Sequence, residues 1–355
     1  MSRTAAFAKV AATCAGALLL AVSPLGNAAD YASAVKGTGG SSSARVLAQW
    51  NFQFTKETKI NVQFDPANSG VGIREIIARN VDFGATEIPL SAEDLAKNDL
   101  VQFPLLIGGV VVIVNIPGVK PGELRLSSSL LTKIFLGQTT AWNDREIQAL
   151  NPEVKLPKIP IRLVVRETPA STTLALTDFL SKTDNAWATR IGASQLPAWP
   201  APVSRAVTVQ AMGDMVQATP GAIGYLNVDE AYRKQLSYVQ MRNRAGQWVK
   251  PSHETILAAA ASGGLARNVD RIPTLVDVDG SHSWPIVEVT YVLMDRKPKS
   301  VDRARSTLKF FFWAFLQGDQ MAHETGFVPL PTTAQARVVG RFRDVVTPNH
   351  MPVAF

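Results

Sequence analysis

Apolar and polar positions along the chain follow two periods, one typical of helices and one of strands. Helical spacing relates Leu308, Phe311, Phe312 and Phe315, which indicates one buried helix face. Residues 110–114 are apolar without alternation, as expected for a strand covered on both faces. Helices are predicted at 45–56, 72–80, 129–137, 173–183, 253–261 and 301–317, and strands at 60–64, 110–116, 159–165, 237–241 and 286–294. The pattern predicts an α/β fold.

The first 29 residues have the pattern of a secretory signal peptide. Arg3 and Lys9 precede an apolar run over 10–22, and a Pro/Gly break and the small residues 27–29 follow it. The apolar run is too short to span a bilayer. We therefore expect a mature chain that is secreted, most simply to the periplasm.

Cysteine content and charge exclude several classes of function. The single cysteine, Cys14, leaves with the signal peptide, so the mature chain has no thiol for a disulfide, a zinc–thiolate site or a nucleophile. Without Arg3 and Lys9, 34 basic and 29 acidic residues remain, and the net charge falls from +7 to +5. A modest positive charge suits an anionic ligand, whereas the scattered basic residues do not predict a nucleic-acid surface. The histidines show no metal spacing, and neither a P-loop nor a dinucleotide fingerprint is present, so we expect no metal and no cofactor.

Three clusters of small polar residues stand directly before predicted helices, at 39–43, 68–72 and 169–173. The N–H groups at a helix start are unpaired, and the helix dipole favours negative charge there. In open α/β sheets, ligands bind at such strand-to-helix loops. Each cluster alone also fits an ordinary loop and helix cap. The three together predict one shared site for a tetrahedral oxyanion.

Two charged residues complete the predicted site. Arg166 ends a predicted strand just before the third cluster, and a guanidinium there can hold an oxyanion through paired N–H donors. Glu87 ends the segment 81–87. Its carboxylate can accept the proton that phosphate keeps at neutral pH, but it repels sulfate, which has none. The alternatives are a surface arginine and a solvated loop acid.

Length and two dipeptides bear on domain organisation. About 325 mature residues favour two lobes. Gly108-Gly109 and Trp284-Pro285 each precede a predicted strand and mark places where the chain would pass between the lobes. A tight turn into a strand is the alternative at both places.

Several motifs occur in an order that points to one family. Val-Asp-Phe-Gly-Ala stands at 81–85, Gly-Gly-Val-Val at 108–111, Pro-Gly-Ala-Ile-Gly-Tyr at 220–225 and Trp-Pro-Ile at 284–286. In these motifs the chain resembles the phosphate-binding proteins of bacterial phosphate ABC transporters, the PstS family. The resemblance extends along most of the mature chain.

The resemblance implies a type II periplasmic binding protein fold, in which two lobes, each a mixed sheet flanked by helices, are joined by a hinge. The expected divisions are 1–29 for the signal peptide, 30–107 for the first part of lobe I, 108–285 for lobe II and 286–355 for the rest of lobe I. The resemblance further implies a monomer that closes on one inorganic phosphate ion without catalysing a reaction. It would deliver the ion to an ABC permease in the inner membrane.

The resemblance also assigns the phosphate-binding residues by position. They are Gly40, Ser41, Ser42, Ser69, Glu87, Arg166, Ala170, Ser171 and Thr172. The sequence departs from the family pattern at four places. Glu87 replaces the usual aspartate, and Thr168 replaces an aspartate that orients the arginine. Asn-Ser-Gly-Val-Gly at 68–72 replaces Gly-Ser-Ser-Gly-Gly, and Ala-Ser-Thr at 170–172 replaces Ser-Gly-Thr.

Two other functions stay open. One is a PstS-like scaffold, or a phosphate-sensing or secretion-associated protein, with a diverged oxyanion site. The other is a weak phosphatase that uses a serine of residues 41–43.

Overall fold

The computed structural model describes residues 30–265 and 275–355, and the predicted signal peptide lies outside them. The helices are α1 Ala44–Thr58, α2 Ser69–Ile77, α3 Ala92–Lys97, α4 Ser128–Phe135, α5 Arg145–Leu150, α6 Ser171–Thr183, α7 Asn185–Arg190, α8 Val209–Ala218, α9 Val228–Arg233, α10 His253–Ser262, α11 Val301–Gln317, α12 Asp319–Glu324 and α13 Thr332–Arg341, with 3-10 turns at Ser41–Ser43 and Phe342–Asp344. The strands are β1 Ala34–Gly40, β2 Asn61–Ala67, β3 Phe83–Thr86, β4 Leu100–Val114, β5 Arg125–Leu126, β6 Arg162–Arg166, β7 Val203–Ala206, β8 Ala222–Asn227, β9 Ser237–Tyr238, β10 Gln240–Arg242, β11 Trp248–Val249, β12 Val287–Asp295 and β13 Val328–Pro329. None of these helices combines the length and the apolar composition needed to cross a bilayer.

One large mixed sheet organises these elements. Its strands lie in the order β2-β1-β3-β12-β4-β8-β6-β7, and β9 and β13 also pair with β4. Residues 100–109 of β4 pair with β12, and residues 110–114 pair with β8, so this one strand belongs to both halves of the sheet. β5, β10 and β11 form a separate small sheet. The predicted α/β pattern is confirmed, while the exact lobe limits stay a prediction.

The predicted start of the strand at 110–116 is wrong, because β4 begins ten residues earlier and is buried along its whole length. Pro104 lies inside this strand, and the pairing with β12 shifts register between Thr290 and Tyr291, directly opposite Pro104. Such a bulge accommodates a residue that has no N–H to donate. Gly108-Gly109 therefore lies within a continuous strand, and the tight-turn alternative is wrong there.

The last long helix forms much of the core. Leu308 and Phe311 of α11 are fully buried, Phe315 is nearly so and Phe312 is partly buried against the core, which confirms the predicted apolar face. The Phe311 ring meets Phe83 of β3 and Phe103 of β4 edge to face, with centroids 5.1 and 5.6 Å apart. Edge-to-face aromatic pairs stabilise a core beyond the area that they bury. The helix thus fixes β3, which leads directly into Glu87.

The predicted strand at 237–241 is instead two short strands. β9 pairs with β4 in the large sheet, and β10 pairs with β5 and β11 in the small one. β1 was not predicted, since its sequence, Ala-Val-Lys-Gly-Thr-Gly-Gly, is rich in glycine. The other predicted elements have counterparts whose ends differ by up to three residues.

Candidate functional site

Glycines bring β1, α2 and β3 unusually close together. A Cβ on Gly39, whose φ is +137°, would lie 1.9 Å from the Ala85 carbonyl oxygen, and one on Gly72 would lie 2.6 Å from the same oxygen. A Cβ on Gly84 would lie 2.6 Å from the Gly72 carbonyl oxygen. No side chain fits at these positions, because backbone atoms already occupy the space. The first two clusters and the end of β3 therefore converge on one point.

Glu87, directly after β3, is held by two serine hydroxyls. Ser42 donates to Oε1 of its carboxylate, and Ser69 donates to Oε2 at 2.5 Å. The Glu87 N–H in turn donates to the Ser69 hydroxyl at 3.2 Å. A serine hydroxyl has one proton to donate. With both protons directed to Glu87, Ser42 and Ser69 have only their backbone N–H groups to offer to an anion.

Gly40 makes room for the Glu87 carboxylate. A Cβ on Gly40 would lie 2.4 Å from each carboxylate oxygen and 2.7 Å from Cδ. Glu87 is only 7% exposed, so its side chain has little space in which to move away from a Cβ at position 40. The absence of a side chain at position 40 thus accommodates an acid one methylene longer than the aspartate that the family resemblance leads one to expect.

Substituting Gly40→Ala will displace Glu87 and weaken the binding of any anion that the carboxylate orients. We expect a loss of about 1–3 kcal/mol in stability from overpacking, measured by denaturant unfolding. The matched control is Gly340→Ala in α13, where a Cβ meets nothing within 4 Å. Equal effects of the two substitutions on stability and on anion binding would show that Gly40 has no special role.

Arg166 ends β6 with part of its guanidinium unpaired. Its Nη2 donates to the Val207 carbonyl at 2.8 Å and to the Thr168 hydroxyl at 3.4 Å, where the family resemblance predicts an aspartate. Its Nε is buried and has no hydrogen-bond partner. Burial lowers the pKa of Arg166, and Tyr225 partly opposes this effect. Within the described ranges, no carboxylate lies at ion-pair distance from this cation.

Helix α6 starts beside Arg166 without a side-chain cap. Its N-cap residue, Ala170, has no side chain that can accept a hydrogen bond, and the first N–H groups of any helix lack partners within it. The Thr172 hydroxyl is buried and has no partner. Most of the other helices have a capping Ser, Thr, Asp or Asn, as α2 has Asn68. The uncapped start of α6 leaves donors directed at the space in front of it.

The predicted site residues surround one cavity of about 60 Å³. All of them line it: Gly40, Ser41, Ser42, Ser69, Glu87, Arg166, Ala170, Ser171 and Thr172. The cavity walls also include Asn68, which belongs to the predicted cluster 68–72, and Gln195 and Asn227, which were not predicted. The sequence alone could have identified Asn227 as a candidate site residue, because it is a polar residue at the end of the apolar run 222–226, just before a helix. The role of these residues in binding stays a prediction.

The histidines take no part in this cavity. His253 and His323 contact each other, with their Nδ1 atoms 2.9 Å apart, and neither His282 nor His350 lines the cavity. In the part of the chain that the structure describes, no group of three or more His, Cys, Asp or Glu side chains is placed to hold a metal ion.

The Asp-Phe-Gly triplet at 82–84 resembles a kinase metal-binding motif in sequence only. Its Asp82 forms an ion pair with Arg303 at 2.6 Å.

Known proteins match the chain over most of its length. The model of the PBP superfamily domain, PBP_like_2, matches residues 24–317. The phosphate-binding protein PstS of Haemophilus influenzae is 34% identical over 88% of this chain and 93% of its own length. That of Xylella fastidiosa is 35% identical over 84% of this chain and 81% of its own length. The chain belongs to the PstS family.

Solved structures show the fold of this PstS family member. A high-affinity periplasmic phosphate-binding protein bound with phosphate, PfluDING, is similar with a TM-score of 0.68 and 19% identity, over 87% of this chain and 93% of its own. A phosphate-binding protein from Stenotrophomonas maltophilia gives a TM-score of 0.64 and 19% identity, over 88% and 94%. The predicted two-lobe periplasmic binding protein fold is confirmed.

Proposed function

We propose that the mature chain binds inorganic phosphate in this cavity. The observation that carries the proposal is the pair of buried donors, Nε of Arg166 and the hydroxyl of Thr172, that face one cavity without partners. Buried polar groups in folded proteins are nearly always hydrogen-bonded. A ligand rich in acceptor oxygens supplies the missing partners, and the Arg166 charge selects an anion.

Glu87 narrows the choice of anion to one that keeps a proton. Its two oxygens already accept hydrogen bonds from Ser42 and Ser69, but each carboxylate oxygen has a second lone pair. A protonated phosphate oxygen can donate to one of these lone pairs. A sulfate oxygen has no proton, so its lone pairs would face those of the Glu87 carboxylate and the two would repel each other. The site therefore favours phosphate over sulfate.

The relatives support binding rather than catalysis. The curated relatives are named phosphate-binding proteins, and PfluDING was solved with phosphate bound. The Ser42 hydroxyl contacts Glu87, but no histidine lines the cavity to serve as a base for a serine nucleophile. We therefore place the protein among binding proteins and not among enzymes.

Location, partner and assembly complete the proposal. We propose that the N-terminal pattern directs the chain to the periplasm and that the chain hands phosphate there to an ABC permease of the inner membrane. We propose that it acts there as a monomer. The competing function is a PstS-like scaffold or phosphate sensor, which the altered third cluster motivates. Capture of a partner other than the permease, together with no phosphate affinity, would favour that function.

Thermal unfolding of the mature chain tests the proposal simply. Phosphate at about 100 times its Kd will stabilise the folded state by about 2.7 kcal/mol, whereas the same concentration of sodium sulfate will raise the melting temperature much less. An equal shift with both salts would indicate a general salt effect and would contradict a phosphate site.

A further inference from the structure

A second acidic side chain, Glu288, lies beside the anion cavity. It is the second residue of β12 and pairs in register with Gly108 of β4. Its Cγ would lie 3.4 Å from a Cβ on Gly108, so the glycine leaves room for the acid. Glu288 is only 7% exposed. A lone acid within an apolar strand was visible in the sequence, but nothing there indicated which residues surround it.

The two oxygens of Glu288 differ in their contacts. Oε1 accepts a hydrogen bond from Nδ2 of Asn227 at 2.6 Å. Oε2 is buried and has no hydrogen-bond partner, although the hydroxyl of Ser171 interacts with this carboxyl group. Asn227 and Ser171 both line the anion cavity. Glu288 therefore supports two residues of the cavity wall from behind.

The charges around Glu288 are mostly negative. Glu87, at the end of β3, and Asp229, in α9, both repel it, and in the described part of the chain no cation forms an ion pair with it. On α6, Asp178 and Lys182 pair with each other at 2.7 Å and line a cavity that Glu87 and Glu288 share. Burial and repulsion from Glu87 raise the pKa of Glu288 to about 8, and its interactions with the Ser171 hydroxyl and with Nδ2 of Asn227 oppose this effect. Both burial and the repulsion from Glu87 favour the neutral form of this side chain.

We propose that Glu288 is a positioning residue that acts as a neutral carboxylic acid, so that its ionisation weakens phosphate binding. This inference rests on the proposed function. In the neutral form, Oε2–H is the donor, and it can donate to the hydroxyl oxygen of Ser171. Ser171 then directs its own proton into the cavity, toward an oxygen of phosphate.

Ionisation of Glu288 reverses this arrangement. A carboxylate accepts and cannot donate, so the proton of Ser171 turns toward Glu288 and away from the cavity. The ionised side chain also places a second buried negative charge, beside Glu87, next to an anionic ligand. Both effects lower phosphate affinity as the pH rises past the pKa of Glu288.

Calorimetric titration with inorganic phosphate tests the inference in the wild type and in Glu288→Gln. Between about pH 6.5 and about pH 9, the Kd of the wild type should rise about tenfold more than that of the variant, because only about a tenth of Glu288 stays protonated at the higher pH. Glu230→Gln, which changes a buried acid of α9 that is paired with Arg233, is the control and should behave like the wild type.

The outcomes separate the two proposals. Parallel pH profiles for the wild type and Glu288→Gln, with both binding at the lower pH, overturn the role of Glu288 and leave the phosphate site standing. If none of the three proteins binds phosphate at any pH, the proposed function itself fails. Infrared spectroscopy of the wild type needs no variant: a protonated-carboxyl band at neutral pH that disappears on alkaline titration is expected, and its absence would contradict the inference.

Discussion

Replacing Arg166 with alanine will weaken phosphate binding by more than about 100-fold. The guanidinium is the cation of the cavity, and its Nε has no partner within the protein. Removing one partner of a hydrogen-bonded charge pair typically costs about 2–5 kcal/mol of binding free energy. A 100-fold loss of affinity corresponds to about 3 kcal/mol, which lies within that range. Isothermal titration calorimetry with phosphate measures it directly.

Arg205→Ala is the matched control for this substitution. Arg205 lies on β7, the strand next to β6, and pairs in register with Val165 beside Arg166. It is exposed and does not line the cavity, so its removal lowers the net charge of the chain equally without touching the site. Similar losses in both variants would mean that the overall positive charge, and not Arg166, attracts phosphate.

Replacing Glu87 with glutamine will weaken phosphate binding and strengthen sulfate binding. The carboxylate loses one acceptor oxygen and its charge, and a charge-assisted hydrogen bond of this kind contributes about 1.5–3 kcal/mol, or roughly 10- to 100-fold in Kd. The new amide N–H₂ group can donate to sulfate, which the carboxylate repels. Competition titrations of phosphate against sulfate measure both changes.

The control for Glu87→Gln is the same substitution at another buried acid. Glu230→Gln neutralises another buried acid, whose partner Arg233 lies outside the cavity. It should leave the ratio of phosphate to sulfate affinity unchanged. If Glu87→Gln also leaves that ratio unchanged, the carboxylate does not accept the phosphate proton.

Much of the site followed from the sequence because it depends on topology. The clusters at 68–72 and 169–173 follow the strands β2 and β6, and loops at the carboxyl ends of parallel strands lie along one edge of a sheet. The same rule explains why Arg166, the last residue of β6, comes next to the third cluster. The family motifs then supplied the residue assignments that topology alone could not.

The pairing of side chains within the site could not be predicted in the same way. The hydrogen bonds from Ser42 and Ser69 to Glu87 depend on how closely β1, α2 and β3 approach one another. That approach depends on backbone contacts at Gly39 and Gly72, which a local pattern does not reveal. The strand β1 was missed for the same reason, since its glycines lower strand propensity but are required by its neighbours.

Two of the departures from the family pattern, at Glu87 and Thr168, have a structural counterpart in the site. Glu87 is longer than the usual aspartate, and Gly40 leaves space for its carboxylate. Thr168 cannot pair with Arg166 as an aspartate would, and the Val207 carbonyl accepts the stronger hydrogen bond instead. Because a carbonyl orients the guanidinium without neutralising it, Arg166 keeps its full charge for the ligand.

The most direct measurement is a calorimetric titration of the mature, phosphate-stripped protein with phosphate, repeated with sulfate as competitor. We predict one phosphate per chain, bound tightly and undisturbed by sulfate. No heat with either anion, or displacement of phosphate by equimolar sulfate, would contradict a site built from Arg166, Glu87 and the start of α6.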